Sequence, residues 1–290
     1  MLPITRVLVP TDFSERCLGM LPYVRTIAEK HQAEVILLHV IDPFYTIPPT
    51  GFSGPVVVPV SGPMIAERER MMGEFGVAEL RDCKVERRVQ EGDPVAQIVG
   101  YAKTENVSLI AMPTHGYGAL RRFLIGSITS KVLHDAACPV LTGAHAEEKA
   151  GAKAVVFSTI LAAVDLGPQS EEVLAWAAQM AADFKAKLGI VHSITPLDAG
   201  LPYKATPQFR MELEAAARSE VEKLQAATKT QGAALHLRSG EPAREVSALA
   251  DSLGAELLVI GRGPKDRDGG RLPTNAYAII RKSPCAVVSV

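Results

Sequence analysis

An internal repetition running through the whole chain constrains its fold more than any other feature. Five landmarks recur in the same order in both halves: Asp12 and Asp165, His39 and His192, segments 92–94 and 240–242, segments 109–112 and 257–260, and Cys138 and Cys285. The offset between partners drifts only from 153 to 147 residues, as loop insertions and deletions would produce. Duplication of one domain explains this order better than coincidence. We therefore predict two domains, at residues 1–146 and 155–290, joined by a charged segment rich in small residues.

Each copy alternates short apolar strands with helical segments. In the first copy, strands are predicted at 5–12, 34–41, 84–90, 107–112 and 138–142, with helices after Ser14, over 66–80, from Asp93-Pro94 to about 104, and from Gly126. This alternation predicts an α/β fold with two tandem doubly wound domains, each an open, mainly parallel five-stranded sheet flanked by helices.

Residues 43–65 carry many prolines and glycines, so we expect a long loop without regular elements there. Its apolar VVVPV stretch leaves two interpretations open. The loop is either a solvated excursion or a contact arm.

Composition and charge exclude several classes of protein. Lys and Arg total 31 against 32 Asp and Glu, a formal charge of −1, so no strong field attracts nucleic acid or a membrane surface. No apolar run approaches the roughly 18 residues that span a bilayer, and no export signal is recognised at the N-terminus. The four cysteines form no CxxC pair, so neither a disulfide framework nor a zinc site is expected. We predict a soluble cytoplasmic protein with reduced thiols.

Doubly wound sheets bind ligands beyond the carboxyl ends of their strands. That rule selects Pro10-Thr11-Asp12, His39-Val40, and the segment from Met112-Pro113 to His115-Gly116. The last of these leads to Gly126-Ser127 and a helix through Ile128 and Thr129. Ser127 is expected either to cap that helix or to offer its hydroxyl to a ligand, and the following amides would form an anion site.

In these segments the chain resembles the universal stress protein family, in particular its tandem two-domain members. The resemblance rests on VPTDFSE, LLHVID, THG followed by GS, and CPVL. The family's ATP-binding members carry G-x2-G-x9-G-[ST], whereas this chain reads Pro113-x2-Gly116-x9-Gly126-Ser127. Proline at the first position removes one amide donor, which would weaken binding by about 0.5–1.5 kcal/mol.

The resemblance implies a Rossmann-like fold of the adenine nucleotide alpha hydrolase-like type, with ATP as ligand. Asp12 would contact the ribose or adenine side, and Val40 would offer backbone groups to adenine. The phosphates would lie against residues shared with the motif: Gly116, Gly126, Ser127, Ile128 and Thr129. Mg²⁺ or Mn²⁺ would be held mainly by the phosphates.

The second copy departs from this motif. Its corresponding loop places Pro273-Thr274 opposite Gly126-Ser127, although Asp165 remains. We expect a degenerate domain that covers the last-strand edge of the first in an intramolecular pseudo-dimer, as paired domains of the family do. A homodimer of the whole chain is a further expectation.

Other interpretations stay open at this point. Asp12 taken alone is more typical of a residue that caps the first helix or satisfies buried backbone amides, and His39 and His192 have the apolar neighbours of structural histidines. No catalytic triad or metal-ligand spacing is recognised, so enzymatic activity is uncertain. The alternatives to a nucleotide-responsive stress or regulatory protein are a slow ATP hydrolase or adenylyl transferase, and a nucleotide-free interaction module.

Overall fold

The computed structural model describes residues 3–43, 45–46, 56–57, 60–114, 125–143, 155–194, 206–263 and 274–290. The main strands of the first half are β1 (Arg6–Pro10), β2 (Glu34–Ile41), β5 (Val85–Glu91), β6 (Leu109–Pro113) and β7 (Val140–Gly143). Its helices are α1 (Glu15–His31), α2 (Gly62–Glu74), α3 (Pro94–Thr104) and α4 (Ser127–Asp135).

The second half repeats this order of elements. Its strands are β8 (Thr159–Ala163), β9 (Lys187–Ile194), β10 (Ala234–Ser239), β11 (Leu257–Ile260) and β12 (Ala286–Ser289). Its helices are α5 (Ser170–Phe184), α6 (Pro207–Thr228), α7 (Pro242–Ser252) and α8 (Thr274–Lys282). Within the described residues, no helix is both long and apolar enough to cross a membrane.

Ten strands form one continuous sheet in the order β10-β9-β8-β11-β12-β7-β6-β1-β2-β5. Each half contributes five parallel strands, and the two sets meet where β7 and β12 pair antiparallel, with Leu141 opposite Val288. The α/β class and the doubly wound topology predicted from the sequence are therefore confirmed. The division at 1–146 and 155–290 stays a prediction, because residues 144–154 lie outside the described residues.

Helices cover both faces of the sheet, which is why its central strands are almost wholly apolar. One face packs against α1, α2, α5 and α6 around residues such as Met20, Leu21 and Leu174. The other face packs against α3, α4, α7 and α8 around Val132 and Leu249. Side chains alternate between these two layers along the strands, so the inner strands contribute to both cores.

The two halves also meet through the helical layer that contains α1 and α5. The ring centroids of Tyr23 and Phe157 lie 6.3 Å apart, and the Thr26 hydroxyl donates to the Val155 carbonyl at 2.9 Å. His31 lies at the end of α1, with its Nε2 atom 3.7 Å from an Asp183 carboxylate oxygen on α5. Apolar packing and polar contacts therefore both cross the boundary between the halves.

Local sequence signals account for several helix starts. The Ser14 side chain accepts from the amide of Cys17, and Asp93 accepts from Ala96 at 2.8 Å, so both predicted N-caps are confirmed. Glu241 takes the equivalent position in the second half. Gly92 and Gly240 precede these last two caps with φ of 133° and 158°, a region that other residues rarely adopt.

Two sequence predictions for the segment after β2 are wrong. Residues 43–65 contain the short strands β3 (Tyr45–Thr46) and β4 (Val56–Val57), which pair antiparallel. Helix α2 begins at Gly62 and ends at Glu74, not over 66–80. Proline has no amide hydrogen that needs an acceptor, so Pro63 in the first turn is compatible with this helix.

Candidate functional site

The first half has its topological switch point between β1 and β6. In the order β5-β2-β1-β6-β7, the chain runs outward from β1 and returns to β6 on the other side. The loops after these two strands diverge there and leave a crevice. Pro10 ends β1 and Pro113 ends β6, so the fold brings together two segments that lie 103 residues apart.

The loop after β1 is held by its own hydrogen bonds. The Thr11 amide donates to the Leu38 carbonyl at 2.9 Å, and the Thr11 hydroxyl oxygen accepts from the Phe13 amide at 3.0 Å. Asp12 accepts at Oδ1 from the Ser14 amide at 3.0 Å and from the Cys17 thiol at 3.2 Å. Thr11 is only 6% exposed. Asp12 therefore does accept from a backbone amide of its own loop, as the structural interpretation of this residue predicts.

Histidine at the end of β2 supports this loop. The His39 Nδ1 atom lies 2.8 Å from the Thr11 carbonyl oxygen, and its ring centroid lies 4.4 Å from that of Phe13. Burial lowers the pKa of His39, and the contact with Thr11 opposes that shift only in part. Neutral His39 would donate its Nδ1 proton to the carbonyl, which agrees with the structural role predicted from the sequence.

The side chains of two predicted site residues pack in the core between the sheet and one layer of helices. Met112 is 5% exposed within the core beneath α3 and α4, and Val40 packs partly buried against the same cluster. Any contact of these residues with a ligand would therefore fall mainly to their backbone atoms.

Helix α4 begins beside the end of β6. Gly126 is its N-cap residue and has no side-chain capping bond, and Ser127 is the first helical residue. Of the two roles that the sequence left open for Ser127, the helix cap does not occur, because Gly126 takes the N-cap position one residue earlier. Ser127 and Ile128 are exposed, whereas Thr129 is buried and donates its hydroxyl to the Pro113 carbonyl at 3.1 Å.

The first turn of a helix has amides without intrahelical acceptors, and these carry partial positive charge. Here the Gly126 amide donates to the Thr114 carbonyl at 2.7 Å, which fixes the helix start against the end of β6. His115 and Gly116, the remaining predicted contacts, lie outside the described residues. Among the residues described, no group of three His, Cys, Asp or Glu side chains is arranged to hold a metal ion.

Comparison of the sequence with known protein families identifies the family of this chain. The sequence model of the Universal stress protein family matches twice, over residues 3–142 and 157–290. The chain belongs to the universal stress protein family. Its two matches cover nearly all of the chain, so it is a tandem member with two family domains.

Curated members of the universal stress protein family match one half of the chain. A universal stress protein of Methanocaldococcus jannaschii is 30% identical over 141 residues, which cover 47% of this chain and 79% of the relative. The universal stress protein A homolog 1 of Coxiella burnetii is 32% identical over 138 residues, covering 46% of this chain and 96% of the relative.

Solved structures of the family match both halves together. A universal stress protein from Archaeoglobus fulgidus is 23% identical with a TM-score of 0.64, covering 98% of this chain and 95% of that one. A putative universal stress protein from Pseudomonas aeruginosa is 19% identical with a TM-score of 0.67, covering 99% and 93%. At these identities the likeness establishes the shared fold.

The second universal stress protein domain keeps a cavity at its own switch point, between β8 and β11. Its volume is about 430 Å³, and its lining includes Asp165, Gln169, His192 and Asn275. The Gln169 carboxamide oxygen accepts from the Gly263 amide at 2.7 Å on one side of this cavity. Loss of the glycine motif has therefore not closed the pocket in the second half.

Sequence reasoning missed two residues that connect the halves near α4. Tyr277 on α8 accepts from the Ile125 amide, and Arg262 after β11 donates to carbonyls at the far end of α4. Both contacts join residues more than 120 positions apart. Nothing local in the sequence identifies such partners, because the pairing depends on how the two domains meet.

Proposed function

We propose that this protein binds ATP in the crevice of its first domain, with the second domain as structural partner. The observation that carries the proposal is the start of α4, where Gly126 leaves the helix without a side-chain cap and Ser127 is exposed at the switch point. Uncapped first-turn amides with partial positive charge suit a phosphate group. Family membership supports the same assignment.

We assign each contact from the place of the residue around the crevice between β1 and β6. The amides of Ser127, Ile128 and Thr129, with the Ser127 hydroxyl, would receive the phosphates, and Gly126 would let the backbone approach them. Asp12 would accept from ribose or adenine donors on the other side of the crevice, and the Val40 backbone would face the base. His115 and Gly116 complete the proposed phosphate loop, with Pro10, Thr11, Met112 and Pro113 forming its floor.

A divalent ion, Mg²⁺ or Mn²⁺, would be bound mainly by the phosphates. Phosphate oxygens with waters and one or two protein ligands are the usual environment of Mg²⁺. Bound nucleotide would change the surface of the first domain, and so serve a nucleotide-responsive regulatory role in the cytoplasm.

Equilibrium dialysis with labelled ATP and Mg²⁺ tests the assignment. We expect saturable binding near one site per chain, lost in the double variant Asp12→Ala, Ser127→Ala. The matched control is Asp165→Ala, Thr274→Ala, which changes the corresponding residues of the second domain. Thermal unfolding of all variants checks folding, since Asp12 and Asp165 each hold their own loop.

Two results would contradict the proposal. One is uptake that only the control variant removes, and the other is no saturable uptake by the wild-type chain. The same samples, assayed for ADP or AMP over hours, test the alternative of slow hydrolysis or adenylyl transfer.

A further inference from the structure

The second domain reaches the N-terminal end of α4 through one side chain. The Ile125 amide donates to the Tyr277 hydroxyl oxygen at 3.1 Å, across 152 residues of sequence. Ile125 is 6% exposed and directly precedes the N-cap residue Gly126. The peptide that leads into the first turn of α4 is therefore fixed from the neighbouring domain.

The second domain also holds the opposite end of α4. The Arg262 guanidinium donates to the carbonyls of Leu133 at 3.2 Å, Ala136 at 3.0 Å and Cys138 at 3.0 Å. Terminal carbonyls of a helix lack intrahelical partners and carry partial negative charge. The positively charged Arg262 side chain therefore supplies donors to these carbonyls, and its charge interacts favourably with the negative end of the helix dipole.

Among the described residues, the positions of the first domain that correspond to Tyr277 and Arg262 carry shorter side chains. Helices α4 and α8 begin 147 residues apart, so Ser130 takes the position of Tyr277 in the first domain. Segments 109–112 and 257–260 lie 148 apart, which puts Thr114 in the position of Arg262. Serine and threonine are too short to return contacts of this reach. The pairing of two similar domains alone would not produce this asymmetry.

We infer that the second domain positions α4 of the first, with Tyr277 acting as a positioning residue for the phosphate-binding amides. This inference rests on the proposed function for its ligand. The first domain holds the same turn from the other side, through Thr129 to Pro113 and Gly126 to Thr114. Without the Tyr277 bond, the Ile125 amide loses its hydrogen bond to α8, and the direction of the following amides is less restricted.

The variant Tyr277→Phe tests this by removing one oxygen atom. We measure dissociation constants for ATP and for adenosine, which lacks phosphates, and amide hydrogen exchange at Ile125 without nucleotide. We expect ATP binding to weaken about 3- to 10-fold, the range of one hydrogen bond, with adenosine binding unchanged. Exchange at Ile125 should become faster.

Tyr101→Phe is the matched control. Tyr101 lies on α3, and its hydroxyl donates to Glu86 on the edge strand β5 at 3.2 Å rather than to α4, so removing this oxygen should change none of these readings. Equal loss of ATP and adenosine binding in Tyr277→Phe, or unchanged values for both, would overturn the inference. If wild-type chain fails to bind ATP, the proposed function fails, and exchange at Ile125 alone decides whether Tyr277 holds the helix start.

Discussion

The loops after β1 and β8 are built by the same contacts, although their sequences share little beyond one aspartate. Asp12 accepts from the amide two residues on and from the Cys17 thiol; Asp165 accepts from the Gly167 amide and from the Ser170 hydroxyl at 3.0 Å. The residue after each aspartate has positive φ, 65° at Phe13 and 61° at Leu166. This aspartate is therefore a structural device of both domains.

Matching histidines strengthen the comparison. His39 and His192 each place Nδ1 within 2.9 Å of the carbonyl 28 residues earlier. The halves thus agree in how they hold the switch-point loop, and they differ in the sequence before α4 and α8, where Pro273 corresponds to Gly126. A difference in nucleotide binding between them must come from that second region, and from the side chains that only one domain supplies.

The largest expected effect is a loss of stability in core variants, which test whether the two halves unfold as one unit. Leu21 on α1 and Leu174 on α5 correspond at an offset of 153, and both are fully buried. Leu→Ala at either position should lower the free energy of unfolding by about 2–5 kcal/mol. Because the sheet is continuous across β7 and β12, each variant should still unfold in a single transition.

Calorimetry and urea unfolding measure this prediction. Two separated transitions in Leu174→Ala, with the first domain's transition unmoved, would show that the halves unfold independently.

The next largest effect is a loss of ATP affinity in Gly126→Ala, which tests whether the site needs the small size of glycine. Its φ of −58° suits any residue, so backbone freedom does not require glycine here. Gly126→Ala should weaken ATP binding by about tenfold, or about 1.4 kcal/mol, with thermal stability nearly unchanged. Gly100→Ala on α3 is the control, since a Cβ there meets nothing within 4 Å. Unaltered ATP affinity in Gly126→Ala would place the phosphates elsewhere.

A smaller effect is expected at the boundary between the halves, where His31 occupies the position of Phe184. Burial lowers the pKa of His31, and the Asp183 carboxylate opposes this only in part. The unfolded chain therefore takes up a proton at a higher pH than the folded chain. Stability should fall as pH is lowered through about 6.5 toward the folded-state pKa.

Urea unfolding of wild type and His31→Gln between pH 7.5 and 5 measures this dependence. The variant should show a shallower decline over that window. Equal slopes for the two proteins would contradict a lowered pKa at His31.

The smallest expected effect concerns Cys17, which stands where the second domain has Ser170. Burial, with the nearby Asp12 carboxylate, raises the pKa of Cys17 to about 11. Almost no thiolate is present at pH 8, so an alkylating reagent should leave Cys17 unmodified in the folded chain. Mass spectrometry should find modification first at the half-buried thiols of Cys83, Cys138 and Cys285. Rapid labelling of Cys17 would show that this loop opens readily.

The sequence predicted most of the fold because the relevant signals are local. Segments 34–41 and 94–104 have the bounds of β2 and α3, since hydrophobic runs, an N-cap and a proline define them. Within residues 43–65 the same reasoning failed, because proline content does not reveal a short pairing between Tyr45–Thr46 and Val56–Val57. The site residues stay predictions, although the fold brings 10–12, 112–113 and 126–129 to one crevice.

The repeat alone determined that this chain forms two similar doubly wound halves, because strand order and switch point follow from a pattern of elements that each copy carries in full. Only the tertiary structure decided how those halves meet. The antiparallel pairing of β7 with β12, and the contacts of Tyr277 and Arg262 with α4, join residues more than 120 positions apart. Such contacts depend on how the two halves pack against each other, and no local pattern in the sequence indicates that arrangement.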